Sequence, residues 1–241
     1  MHFFYSNNII NDLENSGVII ILDKVESNHC INVLRYSISD EIHVVDGEGN
    51  LYQGIIKKVQ KKQCVINVKN TIKNYKKRNH YVHIAIAPTK NHERLEWFIE
   101  KAVEIGVDEV TFIKCSRSLR KQVRMNRIHK VAITAMKQTL KAYLPKINPI
   151  DSFNNFIKLN KDLCGFICHL EEGNKKTLMD YKSIIENQHS YVLIGPEGDF
   201  DKEEIEYAVD YNLKSVCLGS SRLRTETAGV VACHLMNLVN V

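Results

Sequence analysis

The sequence predicts an α/β protein built on a parallel sheet and preceded by a small barrel-like β domain. Three observations support this class. Residues 1–72 show short apolar or alternating stretches that are typical of strands, residues 81–241 alternate apolar strands with amphipathic helices, and residues 73–80 are polar and aperiodic. We therefore expect an N-terminal β domain over 1–72, a linker over 73–80 and a larger α/β domain over 81–241.

The predicted β domain contains three kinds of signal. The stretches "HFFYS" and "GVIIILD" read as strands, and "DGEGN" (46–50) is a hairpin turn between two further strands. Between them lies "SNHCINVLRYSISD", where Cys30, Val33 and Leu34 fall on one face of a helix. A small β barrel with one short helix accounts for these patterns.

In the predicted α/β domain, strands and helices follow one another in regular order. The strands are expected at 81–87, 109–114, 164–170, 191–195 and 215–219, with helices at 92–106, near 126–142, near 178–187, at 201–211 and at 225–239. Helices between apolar strands cover both faces of a parallel sheet, and ligands bind such sheets beyond the carboxyl ends of the strands. Residues 170–173, 195–200 and 219–225 are therefore expected on one rim.

Composition narrows the class of protein. No run approaches the roughly 18 apolar residues of a membrane helix, and the N-terminal residues lack the order of a signal peptide, so we expect a cytoplasmic protein. Seven cysteines without a C-x-x-C pair argue against a disulfide framework and a thiolate metal site. His83, His169 and His234 are interpreted as core or edge residues, and no metal is predicted.

Positive charge is concentrated in two segments. Nineteen of the 33 Lys and Arg residues lie in 57–78 and 114–150, which contain no acidic residue. Such segments are typical of a surface that faces a polyanion, although acids supplied from elsewhere in the fold would make them ordinary solvated surfaces. Two segments in different regions favour nucleic acid as the partner.

Two glycine turns, "LIGPEGDF" (193–200) and "LGSSRLRTETAG" (218–229), end predicted strands and lead into helices. Neither has the spacing of a dinucleotide or P-loop phosphate site, and an acid next to the turn is a poor neighbour for a pyrophosphate. A ligand without phosphates fits better, with apolar walls from Leu170, Leu193, Leu218 and Leu223. S-adenosylmethionine, an adenosine with a cationic sulfonium, is the ligand we predict.

At these motifs the sequence resembles the RsmE family of 16S ribosomal RNA uracil-N3 methyltransferases, within the SPOUT class. The resemblance rests on "HCINVLR", "APTKNHERLEWFIEKAVEIGVDEVTFIKCSRS", "AMKQTLKAYLPKI", "LIGPEGDF" and "LGSSRLRTETA", which occur in the family's order. Two positions depart from the family: Asp199 replaces a second glycine, and Lys137 stands where an acid often precedes Gln138. The resemblance implies a PUA-like N-terminal β barrel and a parallel sheet with a C-terminal trefoil knot.

The resemblance also implies an activity and a set of site residues. It implies a homodimer that binds S-adenosylmethionine and methylates N3 of a uridine in small-subunit ribosomal RNA. Arg224 is the expected catalytic residue, because a cation that stays protonated can stabilise charge on the uracil carbonyls. The expected cofactor-binding residues are Leu170, Leu193, Gly195, Glu197, Gly198, Leu218, Gly219, Leu223, Glu226, Thr227 and Ala228. The expected RNA-binding residues are Arg35, Arg117, Arg120, Lys121, Arg124 and Gln138.

Simpler interpretations of these residues remain open. Arg224 could form a salt bridge with Glu226 or Glu197, and Thr225 and Glu226 could merely cap the last helix. That helix is apolar around most of its circumference, which favours a two-fold partner, with Ala228, Gly229 and Ala232 allowing close approach. The small β domain could instead cover it.

Other functions also remain open. The chain could be a knotted methyltransferase that acts on a ribose 2′-hydroxyl or on transfer RNA. It could also be a non-catalytic RNA-binding assembly factor that keeps the fold. The sequence leaves open whether naked ribosomal RNA or the assembled small subunit is the substrate.

Overall fold

The computed structural model describes residues 1–12, 17–60, 63–170 and 176–240. The chain forms two compact units. The first comprises Met1–Lys77 together with Ile133–Leu144, and the second comprises Arg78–Ala132 together with Pro145–Val241. Residues 133–144 therefore group with the first unit, whereas the sequence pattern placed them in the α/β domain.

The first unit is built on one six-stranded mixed sheet. Its strands are β1 (Phe3–Tyr5), β2 (Ile9–Asp12), β3 (Gly17–Ile21), β4 (Glu41–Val45), β5 (Leu51–Gln60) and β6 (Gln63–Ile72). They lie in the order β1-β4-β5-β6-β3-β2, and only the pairing of β1 with β4 is parallel. Alternate residues such as Ile42, Val44 and Ile66 are buried in its core, as a half-buried sheet requires. The predicted PUA-like β domain is confirmed.

The predicted helix of this unit is shorter than expected and ends in a turn that is wider than an α-helical one. Helix α1 (Lys24–Asn28) begins at Asp23, whose carboxylate accepts a hydrogen bond from the Glu26 amide at 2.7 Å, and it continues as a π-helical turn, His29–Val33. Cys30 is buried as predicted, but Val33 is 59% exposed. The π turn rotates Val33 away from the face that a regular α-helix would give it.

The segment 133–144 is attached to the first unit by polar contacts. The ammonium group of Lys137 pairs with the buried carboxylate of Glu26. The amide of Leu144 donates to the carbonyl of Gly47 at 2.8 Å, in the turn between β4 and β5. The ring of Tyr143 lies where a Cβ on Gly49 would be, 2.2 Å from its Cζ, and Gly49 has φ +100°. The turn therefore needs glycine both for its backbone conformation and for this close approach.

The second unit is an α/β structure with a seven-stranded parallel sheet. Its strands are β7 (Tyr81–Ile86), β8 (Glu109–Lys114), β9 (Lys146–Ser152), β10 (Cys164–Cys168), β11 (Lys176–Thr177), β12 (His189–Ile194) and β13 (Lys214–Cys217). They lie in the order β11-β13-β10-β12-β7-β8-β9, and every pairing is parallel. The predicted α/β class with a parallel sheet is confirmed.

Helices connect these strands. They are α2 (His92–Ile105), α3 (Met125–Gln138, which ends in the first unit), α4 (Phe153–Leu159), α5 (Lys182–Ile185, after a 3-10 turn at Leu178–Tyr181), α6 (Lys202–Asp210) and α7 (Thr225–Leu238). Helix α2 illustrates how the sequence fixes an element: the side chain of Asn91 caps its start, Gly106 at φ +128° ends it, and Leu95, Phe98 and Ile99 are buried along one face. None of the helices in the described part of the chain is long and apolar enough to cross a bilayer.

Several predicted boundaries differ from the structure. The helix expected near 178–187 is a 3-10 turn followed by four α-helical residues, and the helix expected near 126–142 ends at Gln138. Strand β9 and helix α4 were not predicted. Strand β9 is at the edge of the sheet, and its register with β8 shifts around Pro149, which cannot donate a hydrogen bond to a neighbouring strand.

The order of the strands brings three loops together. Strands β13, β10 and β12 are neighbours in the sheet and run in the same direction, so the segments that follow them leave at the same edge. These segments begin at residues 218, 169 and 195. The rim predicted from the sequence therefore exists in the fold, although residues 171–173 of that prediction lie outside the described residues.

Candidate functional site

A cavity of about 330 Å³ opens at this rim. Its volume is within the range of small-molecule binding sites. Of the residues predicted to bind cofactor or to act in catalysis, the following line it: Leu170, Gly195, Glu197, Leu218, Gly219, Leu223, Arg224 and Ala228. Its walls also include residues that the sequence did not single out, among them Arg94, Ile194, Pro196 and Ser221.

One predicted wall residue lies elsewhere. Leu193 is fully buried in the core cluster of the sheet with Ala85 and Ile113, and its neighbour Ile194 lines the cavity instead. Neighbouring residues in a strand point to opposite faces of the sheet. A prediction that is off by one residue therefore assigns a core side chain to the cavity. Leu193 is therefore corrected from a cavity residue to a core residue.

Three other predicted cofactor residues do not line the cavity. Glu226 is buried at the start of α7, where its Oε1 lies 3.6 Å from Nε of Arg94. The carbonyl of Gly198 accepts a hydrogen bond from the Arg117 guanidinium at 2.8 Å. Thr227, the next residue of α7, is half-buried. These three residues are next in sequence to residues that line the cavity, but they do not line it themselves.

The loop after β12 is held in shape by Asp199. Its φ is +63°, in the left-handed region that favours glycine. Its carboxylate accepts hydrogen bonds from the amide of Leu170 at 2.8 Å and from the amide of Phe200 at 2.9 Å. The aspartate therefore links two of the three loops around the cavity at the position where the resembling family has a glycine.

Two further contacts fix this loop. The carboxylate of Glu197 accepts a hydrogen bond from the backbone amide of Lys90 at 2.8 Å, which ties the loop to the segment before α2. The hydroxyl of Thr225 donates to the carbonyl of Gly195 at 3.1 Å, which ties it to the start of α7. Thr225 is thus the first helical residue and not the cap that the sequence suggested, because the N-cap position is occupied by Arg224.

The side chain of Arg224 projects from the rim without a partner. Within the described residues it makes no hydrogen bond or ion pair, and it is exposed while lining the cavity. The two salt bridges considered for it are not formed, because Glu226 pairs with Arg94 and Glu197 binds the amide of Lys90. The guanidinium is available to a ligand in the cavity.

Beside the cavity lies a second, more open depression, which we call the basic groove. It is lined by Lys90, His92, Arg94, Arg120, Arg124 and Arg127, with Asn91, Glu93, Glu96, Leu119 and Glu197 between them. Desolvation and the positive charges of Arg120 and Arg124 lower the pKa of His92. Two residues, Arg94 and Glu197, line both the groove and the cavity.

The predicted RNA-binding residues are distributed over both units. Arg120 and Arg124 line the basic groove, and Lys121 lines a smaller depression next to Arg120. Arg120 is also held in place, with Nε 3.1 Å from the carbonyl of Thr89. Arg117 extends over the loop that follows β12. Arg35 and Gln138 are exposed in the first unit, and Arg35, two residues after the π turn, has a φ of +60°.

Arg94 is a site residue that the sequence pattern does not predict. It lies in the first turn of α2, about 130 residues before α7, and reaches the site because α2 packs on α7. Its signal in the sequence is only a basic residue shortly after a helix cap. The arrangement as a whole can hold a small ligand between apolar walls and backbone groups, next to an anionic polymer in the groove.

Comparison with known proteins agrees with this geometry. A family model described as "RNA methyltransferase domain" matches residues 76–237. The chain belongs to the RNA methyltransferase family. A second model, described as "RNA methyltransferase PUA domain", matches residues 22–69 of this methyltransferase. Both predicted parts of the chain therefore have counterparts among RNA methyltransferases.

Individual relatives extend the match over the whole methyltransferase. A crystal structure of a probable rRNA-methyltransferase from Porphyromonas gingivalis is 36% identical, with a TM-score of 0.88 and coverage of 100% of this chain and 98% of that one. The ribosomal RNA small subunit methyltransferase E of Rickettsia conorii is 25% identical over 94% of this chain and 91% of its own length. The protein of that name from Neisseria gonorrhoeae, solved bound to S-adenosyl methionine, shares the fold at 21% identity, with a TM-score of 0.87 and coverage of 100% and 98%. The resemblance to the RsmE family is confirmed.

Proposed function

We propose that this protein transfers a methyl group from S-adenosylmethionine to N3 of a uridine in small-subunit ribosomal RNA. The observation that carries the proposal is the junction of the two depressions. A cavity with apolar walls meets a basic groove, and Arg94 and Glu197 line both. A methyl donor in the cavity and an RNA strand in the groove would meet at this junction. Relatives named ribosomal RNA small subunit methyltransferase E support the same assignment.

The residues present fit S-adenosylmethionine. Leu170, Leu218 and Leu223 offer apolar surface to an adenine ring, and backbone groups at the ends of three strands can pair with its edge. The carboxylates of Glu197 and Asp199 line the same cavity and suit a ligand with a cationic sulfonium. When bound, the cofactor supplies an electrophilic methyl group.

The methylation of uracil N3 requires the loss of a weakly acidic proton. Negative charge grows on the two flanking carbonyl oxygens as that proton leaves. The guanidinium of Arg224 stays protonated and has no partner within the described residues, so it suits electrostatic stabilisation of this charge and not proton removal. Arg94, held beside Glu226, also lines this junction and can contribute a second positive charge.

The basic groove and the exposed basic residues of the first unit suit binding of the RNA backbone. Phosphate contacts position the substrate without reading its sequence. Lys121 and Arg124 are exposed next to the groove, and Arg35 and Gln138 are exposed in the first unit. We infer that these residues hold the strand while the target base enters the junction.

We also infer that the active form is a homodimer. The small residues expected to face a partner do not do so: Gly229 and Ala232 are buried, and a Cβ on Gly229 would lie 2.6 Å from the Phe98 ring. Among the apolar residues left partly exposed, Val231, Leu235 and Leu238 form one stripe along α7. This stripe supports a dimer contact on the face of α7 that carries these three residues, and not on the face that carries Gly229 and Ala232.

The experiment is methyl transfer from labelled cofactor to naked 16S ribosomal RNA and to small subunits, followed by nucleoside analysis. We expect 3-methyluridine in the product. Label in a ribose 2′-hydroxyl or in transfer RNA would replace the proposal by a different knotted methyltransferase. RNA binding without any transfer and without cofactor binding would indicate an assembly factor instead.

A further inference from the structure

A second group of chemically reactive side chains lies at the opposite end of the parallel sheet. His83 is near the start of β7, and Glu109 and His189 are the first residues of β8 and β12. His83 is in register with Glu109, so both side chains lie on one face of the sheet. Strand β12 separates this group from the cavity by about 20 Å, at roughly 3.3 Å per residue. The group is therefore distinct from the methyltransferase site.

Ring nitrogens in this group lack partners. His83 is buried, with 2% exposure, and its Nε2 lies 2.8 Å from the hydroxyl oxygen of Thr111. Its Nδ1 has no hydrogen-bond partner among the described residues and faces Oε2 of Glu109 at 4.0 Å, which is too far for a hydrogen bond. The Nε2 of His189 is also buried, and the described part of the chain offers it no partner. Two orphaned nitrogens beside a carboxylate are unfavourable unless something lies between them.

Histidine binds metals through a ring nitrogen that makes no other contact, and one nitrogen of His83 and one of His189 are of this kind within the described residues.

The carboxylate of Glu109 is anchored by its surroundings. Its Oε1 accepts hydrogen bonds from Lys146 at 2.9 Å and from Asn148 at 2.6 Å. Its Oε2 accepts one from the Tyr81 hydroxyl at 3.0 Å and is the oxygen that faces His83. Thr111 and Asn148 thus orient the histidine and the carboxylate, as outer residues do around metal ligands.

We propose that His83, Glu109 and His189 form a binding site for a divalent transition-metal ion of the zinc type. Their donor atoms lie within 4.8 Å of one another, in a group found among the described residues. Zinc bound at about 2.1 Å in tetrahedral geometry needs donors about 3.4 Å apart, so each atom would move inward by less than about 1 Å. Two imidazoles and one carboxylate are a zinc ligand set, and water can complete it.

The positive charge of Lys146 would disfavour a cation bound beside Glu109. Its ammonium group contacts Glu109, but its side chain is 66% exposed and can turn to solvent. The metal ion would connect the starts of three neighbouring strands, β8, β7 and β12, which suits a structural role. The cavity lies at the carboxyl ends of the strands, whereas this group lies at their amino ends. This proposal therefore does not depend on the proposed methyl transfer.

The test starts from protein stripped of metal with a chelator and dialysed. Calorimetric titration with zinc sulfate is expected to give one bound ion per chain. Because the ion would bind the folded protein and not the unfolded chain, zinc is expected to raise the midpoint temperature of thermal unfolding by about a few °C. His189→Gln and Glu109→Gln are expected to weaken binding by about 100-fold or more, since even outer partners of a metal are worth about 10- to 100-fold. Lys146→Ala is expected to tighten it.

The control is His129→Gln, a half-buried histidine on α3 that should leave zinc affinity unchanged. X-ray absorption of the zinc-loaded wild-type protein reads the ligands directly, so the test holds even if a variant fails to fold. Two imidazoles and one oxygen ligand support the site. Absence of binding by the wild type, sulfur ligands, or equal binding by the folded ligand variants and His129→Gln would overturn it.

Discussion

At the scale of single residues, Asp199 shows how a side chain can replace the conformational freedom of glycine. Its backbone is in the left-handed region, where most residues are strained by about 1–2 kcal/mol. Aspartate tolerates this region better than most, because its short carboxylate can bind nearby amides. Here it binds the amides of Leu170 and Phe200. The substitution therefore keeps the backbone conformation and adds a link between two loops of the cavity.

This account predicts an order of stabilities for variants of Asp199. Both Asp199→Ala and Asp199→Gly lose the two hydrogen bonds. Alanine is also strained at this positive φ, whereas glycine adopts it without strain. We expect the alanine variant to have a free energy of unfolding about 1 kcal/mol lower than the glycine variant. Urea unfolding of both, with Asp199→Asn as the conservative control, measures the difference. Equal stability of the alanine and glycine variants would contradict the strain argument.

Arg224 gives a prediction about rate. If its guanidinium acts on charge that develops during the reaction, Arg224→Ala should slow methyl transfer by roughly 100- to 1000-fold while the affinity for S-adenosylmethionine stays nearly constant. Arg222→Ala removes the same charge two residues earlier in the wall of the cavity and should cost much less. Single-turnover kinetics and calorimetry separate the two quantities. Loss of cofactor binding in Arg224→Ala would make this residue a ligand of the cofactor.

Residue patterns alone predict some site positions and not others. Gly195, Leu218 and Gly219 could be expected at the rim, because apolar strands that end in glycine identify the carboxyl edge of a parallel sheet. Leu193 was misassigned because an unbroken apolar strand does not reveal which alternate residues face the core. Arg94 could not be expected, since its proximity to the site depends on the packing of α2 against α7.

At the scale of elements, the basic segment after β8 combines two kinds of arginine. Arg117 and Arg120 donate hydrogen bonds to backbone carbonyls of Gly198 and Thr89, so they shape the loops around the site. Lys121 and Arg124 are exposed, and none of the described hydrogen bonds or ion pairs of the structure involves their side chains. Only the second pair is free to contact phosphate without disturbing the loops.

This division predicts a salt effect. Each phosphate contact to a single strand contributes about −0.7 to the slope of log affinity against log salt. Replacing Lys121 and Arg124 with glutamine should make the slope less steep by roughly 1.4 for two lost contacts, while cofactor affinity stays unchanged. Binding of a 16S ribosomal RNA fragment at several salt concentrations measures it. The double variant Lys158→Gln with Lys182→Gln removes the same charge from exposed residues of α4 and α5, outside the basic groove, and should leave the slope unchanged.

There are physical reasons why some elements were not predicted from the sequence. Strand β9 contains Pro149, which discourages a strand prediction, but at the edge of a sheet a proline costs no hydrogen bond to a further strand. The helix expected near 178–187 is divided because the capping box of Thr177 and Asp180 starts a 3-10 turn. Longer periodic elements such as α2 and α7 were predicted within two residues.

At the scale of the whole molecule, the chain crosses between its units more than once. Helix α3 begins in the second unit and ends in the first, where Lys137 pairs with Glu26. Lys137 occupies a position where the resembling family often has an acid, and the buried carboxylate of Glu26 accounts for the positive charge. A linear division into two domains could not reveal this return, because it depends on a contact between residues 111 positions apart.

The last helix carries the argument for assembly. Its buried side faces its own unit, where Gly229 lies against Phe98 and Ile86 and Cys233 lies near the carbonyl of Ala102. Val231 and Leu235 are partly exposed and Leu238 is 43% exposed, at the spacing of one helical face. A two-fold partner would cover this stripe with the same stripe of a second copy.

Leu235→Glu is therefore expected to convert a dimer into monomers, because a carboxylate in the middle of an apolar contact would lose its hydration. Light scattering and methyl transfer on the same sample should show mass and rate falling together, if the partner completes each site. Val209→Glu places the same charge on an exposed apolar residue of α6, away from this stripe, and should leave both unchanged. A wild-type protein that is monomeric and fully active at the assay concentration would exclude the dimer as the active form. A Leu235→Glu monomer with full activity would show that each site is complete within one chain.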